Sequence, residues 1–391
     1  MLNPVPEVKG MVVTINVTTD CNLRCKYCYE TGKAHGVIKK DYYEKFIDQL
    51  LLGQIPVHAT ETIQSVVDSG FRLDLLGGDA LMYPEVCDDI LQYFTRRLIE
   101  LDHPRKTDIQ VNVCSNGTLF GSEPVRRFLT KWRGILQVEV SIDGTPALHD
   151  LNRVYKDGRG SMDTILRDWP WFKATFPTGS QYTKSTLSKG SIPYMYDSLV
   201  YMHETMGLKY IYQNFIMEDM GLEDADLRMI DEQMSMCLEY VLIHRDELYW
   251  SMMDRRYERT SNPGASMPNQ GWCGSGAMPT LGLDGKIYLC PHWLPLCMSS
   301  CVDMSIGSVD EGITRPWLSQ YIQDNSMRPV VSAGLECESC GHESACPYCI
   351  AGAYDEFKEF KRTTHICEVT KMQHKWAKEY WRRYDEINKD Q

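Results

Sequence analysis

Residues 18–30, TTDCNLRCKYCYE, place Cys21, Cys25 and Cys28 at the spacing C-x3-C-x2-C, directly after an apolar run. Three thiolates are one short of a closed tetrahedral zinc site or a fully ligated cubane cluster, each of which takes four protein ligands. Two completions are chemically open. A histidine such as His35 would close a zinc site. Alternatively, the thiolates hold a 4Fe–4S cluster and leave one iron free for an exogenous ligand.

A second constellation lies toward the other end of the chain. Cys273, Gly285 and Cys290 form C-x11-G-x4-C, and CESCGHESACPYC supplies Cys337, Cys340, Cys346 and Cys349, followed after seventeen residues by Cys367. Pairs of the C-x2-C type also occur in zinc ribbons, so a pair of zinc knuckles is the competing reading. The opening stretch MLNPVPEVKGMVVTINV lacks the basic region, apolar core and cleavage site of a signal peptide. No run reaches the apolar length of a membrane span. A cytoplasmic location without a membrane partner is expected, and in that reducing compartment fifteen cysteines read as metal ligands rather than disulfides. A net charge of −12 argues against nucleic acid as a partner, because phosphates need a surplus of Lys and Arg.

These residues must be positioned by a βα series. MVVTINVTT (11–19), FRLDLLGG (71–78), DIQVNVCSNG (108–117), ILQVEVSIDG (135–144), QYTKSTLS (181–188) and KYIYQNFI (209–216) read as strands, with helical patterns such as 39–53 and 83–100 between them. Six such units predict an α/β fold with a full or partial parallel βα barrel, whose functional loops leave the C-terminal strand ends. The three-cysteine loop, GGD, SNGT and SIDG all fall there. The expected organisation is a barrel over 1–221, a helical link over 222–262, and a cysteine-rich domain over 263–391 ending in a helix, with the linker TSNPGASMPNQG (260–271) across the second boundary. LGLDGKIYLC reads as a hairpin with Asp-Gly at its turn, delivering Cys290 beside Cys273.

CNLRCKYC resembles the signature of the radical S-adenosylmethionine (SAM) superfamily, with Tyr27 as its aromatic residue. The resemblance implies a partial (βα)6 TIM-like barrel and a 4Fe–4S cluster on Cys21, Cys25 and Cys28. Its open iron would chelate SAM, and reductive cleavage would release a 5′-deoxyadenosyl radical that abstracts hydrogen. LGGDALMYPE is similar to the family's Gly-Gly-Glu motif, which assigns SAM contacts to Gly77, Gly78 and Asp79, with Asp where Glu is usual. SIDGTPALHDLNR resembles a stretch whose Ser and Arg contact SAM, here Ser141 and Arg153, the Arg being suited to clamp a carboxylate. Ser115 and Asn116 are further candidates for polar contact with SAM.

The C-terminal pattern resembles the SPASM extension, which holds two auxiliary 4Fe–4S clusters. The family pattern would assign Cys337, Cys340, Cys346 and Cys367 to one cluster, and Cys273, Cys290 and Cys349 to the other, one ligand short. Cys297 or Cys301 would fill that place, or the iron stays open to a substrate donor. CPYC departs from the family by spacing its cysteines two apart instead of three. Cys87 and Cys114 are expected in the core and Cys237 in the linking helix.

The resemblance implies an enzyme that modifies a peptide or protein, with oxidative crosslinking of a ribosomally made peptide as the leading reading. The cysteine loop starts too early for an N-terminal leader-recognition domain, so any leader is expected to be bound by a separate protein or by the body of this one, with flavodoxin or ferredoxin as external electron donor. An anaerobic formylglycine-generating sulfatase maturase is the alternative. Such maturases place an Asp base after the cysteine equivalent to Cys290, whereas here Pro291 and then His292 follow, and His292 is the candidate base. A non-catalytic zinc or iron–sulfur scaffold is the reading from another class.

Overall fold

A computed structural model describes residues 11–32, 35–55, 71–177, 181–258, 275–276, 278–300, 302–327, 342, 346, 349–359 and 366–389. Cys273, Cys301, Cys337, Cys340 and the linker TSNPGASMPNQG lie outside the described residues.

Strands β1 (Met11–Thr18), β2 (Phe71–Gly77), β3 (Gln110–Ser115), β4 (Leu136–Ser141), β5 (Gln181–Leu187) and β6 (Tyr210–Phe215) lie side by side in chain order, all parallel. Parallel neighbours need crossovers, supplied here by α1 (Lys40–Leu51), α2 (Pro84–Glu100), α3 (Glu123–Trp132), α4 (Pro146–Asn152), α5 (Met162–Thr175) and α6 (Met195–Val200). Alternation along the strands sorts the two faces. Val13, Ile15, Leu73, Leu75, Val111, Val113, Val138 and Val140 are buried in one core with Phe46, Ile90, Phe128 and Phe172 of the helices. The intervening positions are polar. Arg72 Nε meets Asp74 Oδ1 at 2.7 Å, and Cys114 Sγ lies 2.8 Å from Glu139 Oε2. Cys87 is buried as expected, but Cys114 is only partly buried. Its place between Val113 and Ser115 turns it to the polar face, which corrects the core assignment.

The sheet does not stop at the expected domain boundary. A short strand, β7 (Tyr249–Trp250), adds parallel to β6, so the parallel set exceeds six. At the opposite edge β8 (Thr280–Leu281) pairs parallel with β1, and β9 (Lys286–Tyr288), β10 (Ser305–Ser308) and β11 (Gly312–Ile313) follow antiparallel, giving eleven strands in one sheet. The predicted hairpin is present, with a four-residue connection over 282–285 in which Gly282 N–H donates to Lys286 O at 2.9 Å. Gly285, the glycine of C-x11-G-x4-C, has φ of +79° and would bring a Cβ to 3.1 Å from the Tyr42 ring of α1. Both the turn and the docking on α1 therefore exclude a larger residue.

The linking helix α7 (Asp224–Ile243) ends earlier than the pattern predicts, because the chain turns at His244 to enter β7. Beyond the hairpins come α8 (Pro316–Met327), α9 (Ile350–Phe357) and α10 (Cys367–Lys389). Helix α10 folds back on α7, with Lys375 Nζ and Trp376 Nε1 at 2.7 and 2.8 Å from Asp231. Among the described residues no helix is long and apolar enough to cross a membrane.

Candidate metal and cofactor site

The loop leaving β1 carries Cys21, Cys25 and Cys28 into the wall of a single cavity of about 430 Å³, shared with Asp20, Glu30 and Lys156. Two neighbouring segments strap the loop in place. Arg24 N–H donates to Val154 O at 2.7 Å and Lys26 N–H to Asn152 O at 3.0 Å. From the β3 end, Asn116 Nδ2 donates to Asn22 Oδ1 at 2.8 Å and lies 3.8 Å from Cys21 Sγ, while Asn22 Nδ2 donates to Thr118 Oγ1 at 2.7 Å. Three contiguous thiols facing one cavity are a donor set suited to an iron–sulfur cluster. His35, the alternative zinc ligand, lines the same cavity, but its Nδ1 is engaged by Asp20 Oδ1 at 2.5 Å. Asp20 also accepts the Tyr83 hydroxyl, and these two contacts hold its carboxyl below the usual range.

The glycine motif is explained by a close approach of backbones. A Cβ on Gly77 (φ +144°) would fall 2.1 Å from Thr18 O, and one on Gly78 would fall 2.3 Å from Asp20 O. Gly78 and Asp79 N–H instead donate to Thr18 O and Asp20 O at 3.0 and 2.9 Å, fastening the end of β2 to the cysteine loop. The Asp79 carboxylate is turned into the protein. Oδ1 accepts Leu81 N–H at 3.0 Å, and Oδ2 accepts Ser115 Oγ–H and Asn116 N–H at 3.1 and 2.9 Å. Asp79, Ser115 and Asn116 are thus one buried network joining the ends of β2 and β3.

Arg153 sits just past α4 and is also buried. Its Nε lies 3.0 Å from Asp143 Oδ2, and its guanidinium lies over the Tyr27 ring at 5.3 Å. Tyr27 donates its hydroxyl to the same Asp143, whose other oxygen accepts Thr186 N–H at 2.9 Å. Burial opposes the Arg153 charge, but Asp143 and Tyr27 outweigh it and hold its pKa above the ordinary value. Burial likewise pushes the Tyr27 phenol up, so it stays a neutral donor. Ser141 closes β4 beside Lys184 of β5, half-buried. Asp143, which organises this group, carried no role in the sequence reading although it stands inside SIDG. Asn22 and Thr118 were missed as well, and nothing in their local pattern marks them.

In the second constellation, Cys290 and Cys297 are buried and Cys349 is half-buried at the start of α9. Gly352 N–H points at Cys349 Sγ from 3.3 Å, and Cys297 Sγ lies 3.5 Å from Pro291 O. Burial, with Glu30, Cys290, Cys28 and Cys349 nearby, pushes the Cys297 thiol up. His292 bridges the two cysteine regions. Its Nδ1 is 3.6 Å from Cys349 Sγ, its ring stacks on Tyr29 at 5.2 Å, and burial lowers its pKa. Gly32 N–H to Leu296 O at 2.9 Å ties the same loops. Cys346 is half-buried and Cys367 opens α10.

No protein-family profile matches the chain. An uncharacterized protein of Methanocaldococcus jannaschii is 24% identical over 197 residues, covering 50% of this chain and 59% of that relative. The chain thus spans under two thirds of the length of the curated relative it matches. Among solved structures, anSMEcpe with bound AdoMet, an anaerobic sulfatase-maturating enzyme, superposes with a TM-score of 0.71 at 16% identity, covering 97% of this chain and 100% of that one. The same protein with AdoMet and Kp18Cys peptide gives 0.70 at 15% identity, covering 97% and 99%. Streptococcus suis SuiB bound to S-adenosylmethionine gives 0.56 at 16% identity over 91% of this chain and 76% of SuiB. The chain therefore shares the overall fold of these AdoMet-bound structures.

Proposed function

We propose that the chain is a radical SAM enzyme that modifies a peptide or protein. The observation carrying this reading is the convergence of Cys21, Cys25 and Cys28 on one cavity at the C-terminal end of the sheet, as the three-thiolate donor set requires. When bound there, a 4Fe–4S cluster would supply the electron that cleaves SAM to a 5′-deoxyadenosyl radical, which takes hydrogen from the substrate. The chain's own residues hold and shield that chemistry. Asn116 and the 152–155 segment fix the thiols, Gly77 and Gly78 keep the ends of β1 and β2 in contact, and Asp143 holds Arg153 over the Tyr27 ring.

Two auxiliary clusters form part of the proposal, with Cys297 as the extra ligand beside Cys290 and Cys349. Its support is the burial of Cys297 in their electrostatic company. Such clusters offer a route for the electron released by oxidative chemistry, with flavodoxin or ferredoxin as external donor. Crosslinking of a ribosomally made peptide, presented by a separate leader-binding protein, is the leading reaction. Streptococcus suis SuiB has been solved with its precursor peptide SuiA, and superposes at 14% identity with a TM-score of 0.56, over 91% of this chain and 75% of SuiB. A second reading is formylglycine formation, favoured by full-length overlap with anSMEcpe. His292 would then be the base in place of the family's Asp.

The test is anaerobic reconstitution with iron and sulfide, reduction, and assay for 5′-deoxyadenosine. Failure to form it with a fully loaded cluster would reject the enzyme and favour a scaffold. Incubation with a Cys- or Ser-containing sulfatase peptide separates the two reactions, because only the maturase yields an aldehyde.

A further inference from the structure

A different kind of site lies at the opposite end of the sheet. His203 belongs to a single π-helical turn (Tyr201–Thr205) that precedes β6, while His244 and Glu247 lie between α7 and β7. All three therefore stand at N-terminal strand ends, away from the cysteine loops. One ligand atom from each lies within 4.8 Å of the other two, and the histidine rings are 5.0 Å apart.

The surrounding hydrogen bonds dictate the tautomers. The Tyr240 hydroxyl donates its one proton to Glu204 Oε1 at 3.0 Å, so its contact of 2.7 Å with His203 Nδ1 must be donated by the ring. Glu247 Oε1, a carboxylate oxygen, likewise receives His244 Nδ1–H at 2.7 Å. His203 thus keeps its lone pair on Nε2, whereas an ion shared by His244 and Glu247 takes His244 through Nδ1 and displaces that proton. A histidine that donates Nδ1–H to a backed hydroxyl while keeping Nε2 bare, as His203 does, is an arrangement found around ligated metals. The π turn is a second mark, since such turns concentrate at functional positions.

We propose that His203, His244 and Glu247 form a zinc-class divalent metal site that pins the π turn after α6 to the α7–β7 connection at the base of the barrel. Two imidazoles and a carboxylate suit Zn²⁺, and the exposure of Glu247 leaves water as the fourth ligand. At this face of a barrel the role is structural, because the chemistry sits at the other end of the strands.

The test uses the full, cluster-loaded chain prepared anaerobically without zinc and titrated with ZnCl2. Zinc K-edge absorption reads the ligands, and elemental analysis reads the stoichiometry. The expected result is one zinc per chain with a nitrogen/oxygen shell at about 2.0–2.1 Å and no sulfur. The site is lost in His203→Gln and His244→Gln. Glu247→Ala, at the exposed position, weakens it by roughly 10- to 100-fold and guards against a folding failure of the histidine variants. Formation of 5′-deoxyadenosine by Glu247→Ala stays at the wild-type level. A sulfur shell, binding of Fe²⁺ in preference to Zn²⁺, or unchanged zinc affinity in Glu247→Ala and His244→Gln would overturn the assignment.

Discussion

The two cysteine regions solve the same problem, bringing thiols together, by different means. Cys21, Cys25 and Cys28 come from eight consecutive residues, strapped from outside by Asn116 and by the 152–155 backbone. Cys290, Cys297 and Cys349 come from a hairpin end, a loop and a helix start, and their proximity depends on packing, with β8 and β9 joined to the edge of the barrel sheet. A contiguous ligand set is a local property of the chain. A dispersed one is a property of the packing, and is correspondingly harder to read and easier to misassign.

The sharpest break in this comparison is Cys28→Ala against Cys290→Ala. Cys28→Ala should abolish 5′-deoxyadenosine formation entirely. Cys290→Ala should leave uncoupled SAM cleavage while removing product, as checked by paired assays for nucleoside and modified peptide. Equal loss of both activities in both variants would erase the distinction.

Next in size is the support beneath the first region. Asp143 is fully buried and pairs with buried Arg153, so Asp143→Ala strands a charge and should cost about 3–5 kcal/mol in anoxic denaturant unfolding. Beside it, buried His149 accepts Asp143 N–H on Nδ1, and burial brings its pKa down from 6.5 to about 4. Below pH 6.5 the unfolded chain takes up a proton that the folded chain refuses. Stability should therefore be complete above that pH and fall by about 3 kcal/mol as pH drops toward 4. His149→Gln should flatten this acid limb, and an unchanged slope would contradict the assignment. The smallest effect is expected far from both regions. Arg383 of α10 meets Glu239 of α7 at 2.9 Å on the surface, and Arg383→Ala should cost under about 1 kcal/mol, diminishing with salt.

Periodicity and strand-end glycines made the six parallel strands legible, and the observed elements differ from the sequence reading by only a few residues at their ends. The spacing of the cysteine triplet was legible for the same reason, since it is short-range. The partner of Arg153 was not. A clamp for SAM was expected at Arg153, but whether its guanidinium is already paired depends on Asp143, ten residues away and across a helix. The role of Asp79 was equally hidden, because its hydrogen-bonding partners come from β3 as well as its own turn. Cys114 was misplaced because a cysteine in a strand reads as apolar until the neighbouring strand presents Glu139.

The order of residues alone determined the βα alternation, the compact cysteine triplet and the glycine needs at its edge, since each follows from spacing over a few residues and from steric limits of the backbone. Tertiary structure alone decided that the C-terminal hairpins extend the barrel sheet, that Asp143 neutralises Arg153, and that His203 faces His244. Those pairings depend on which distant segments are held within a few ångströms, and charge and hydrogen bonding act at that range whatever the separation along the chain.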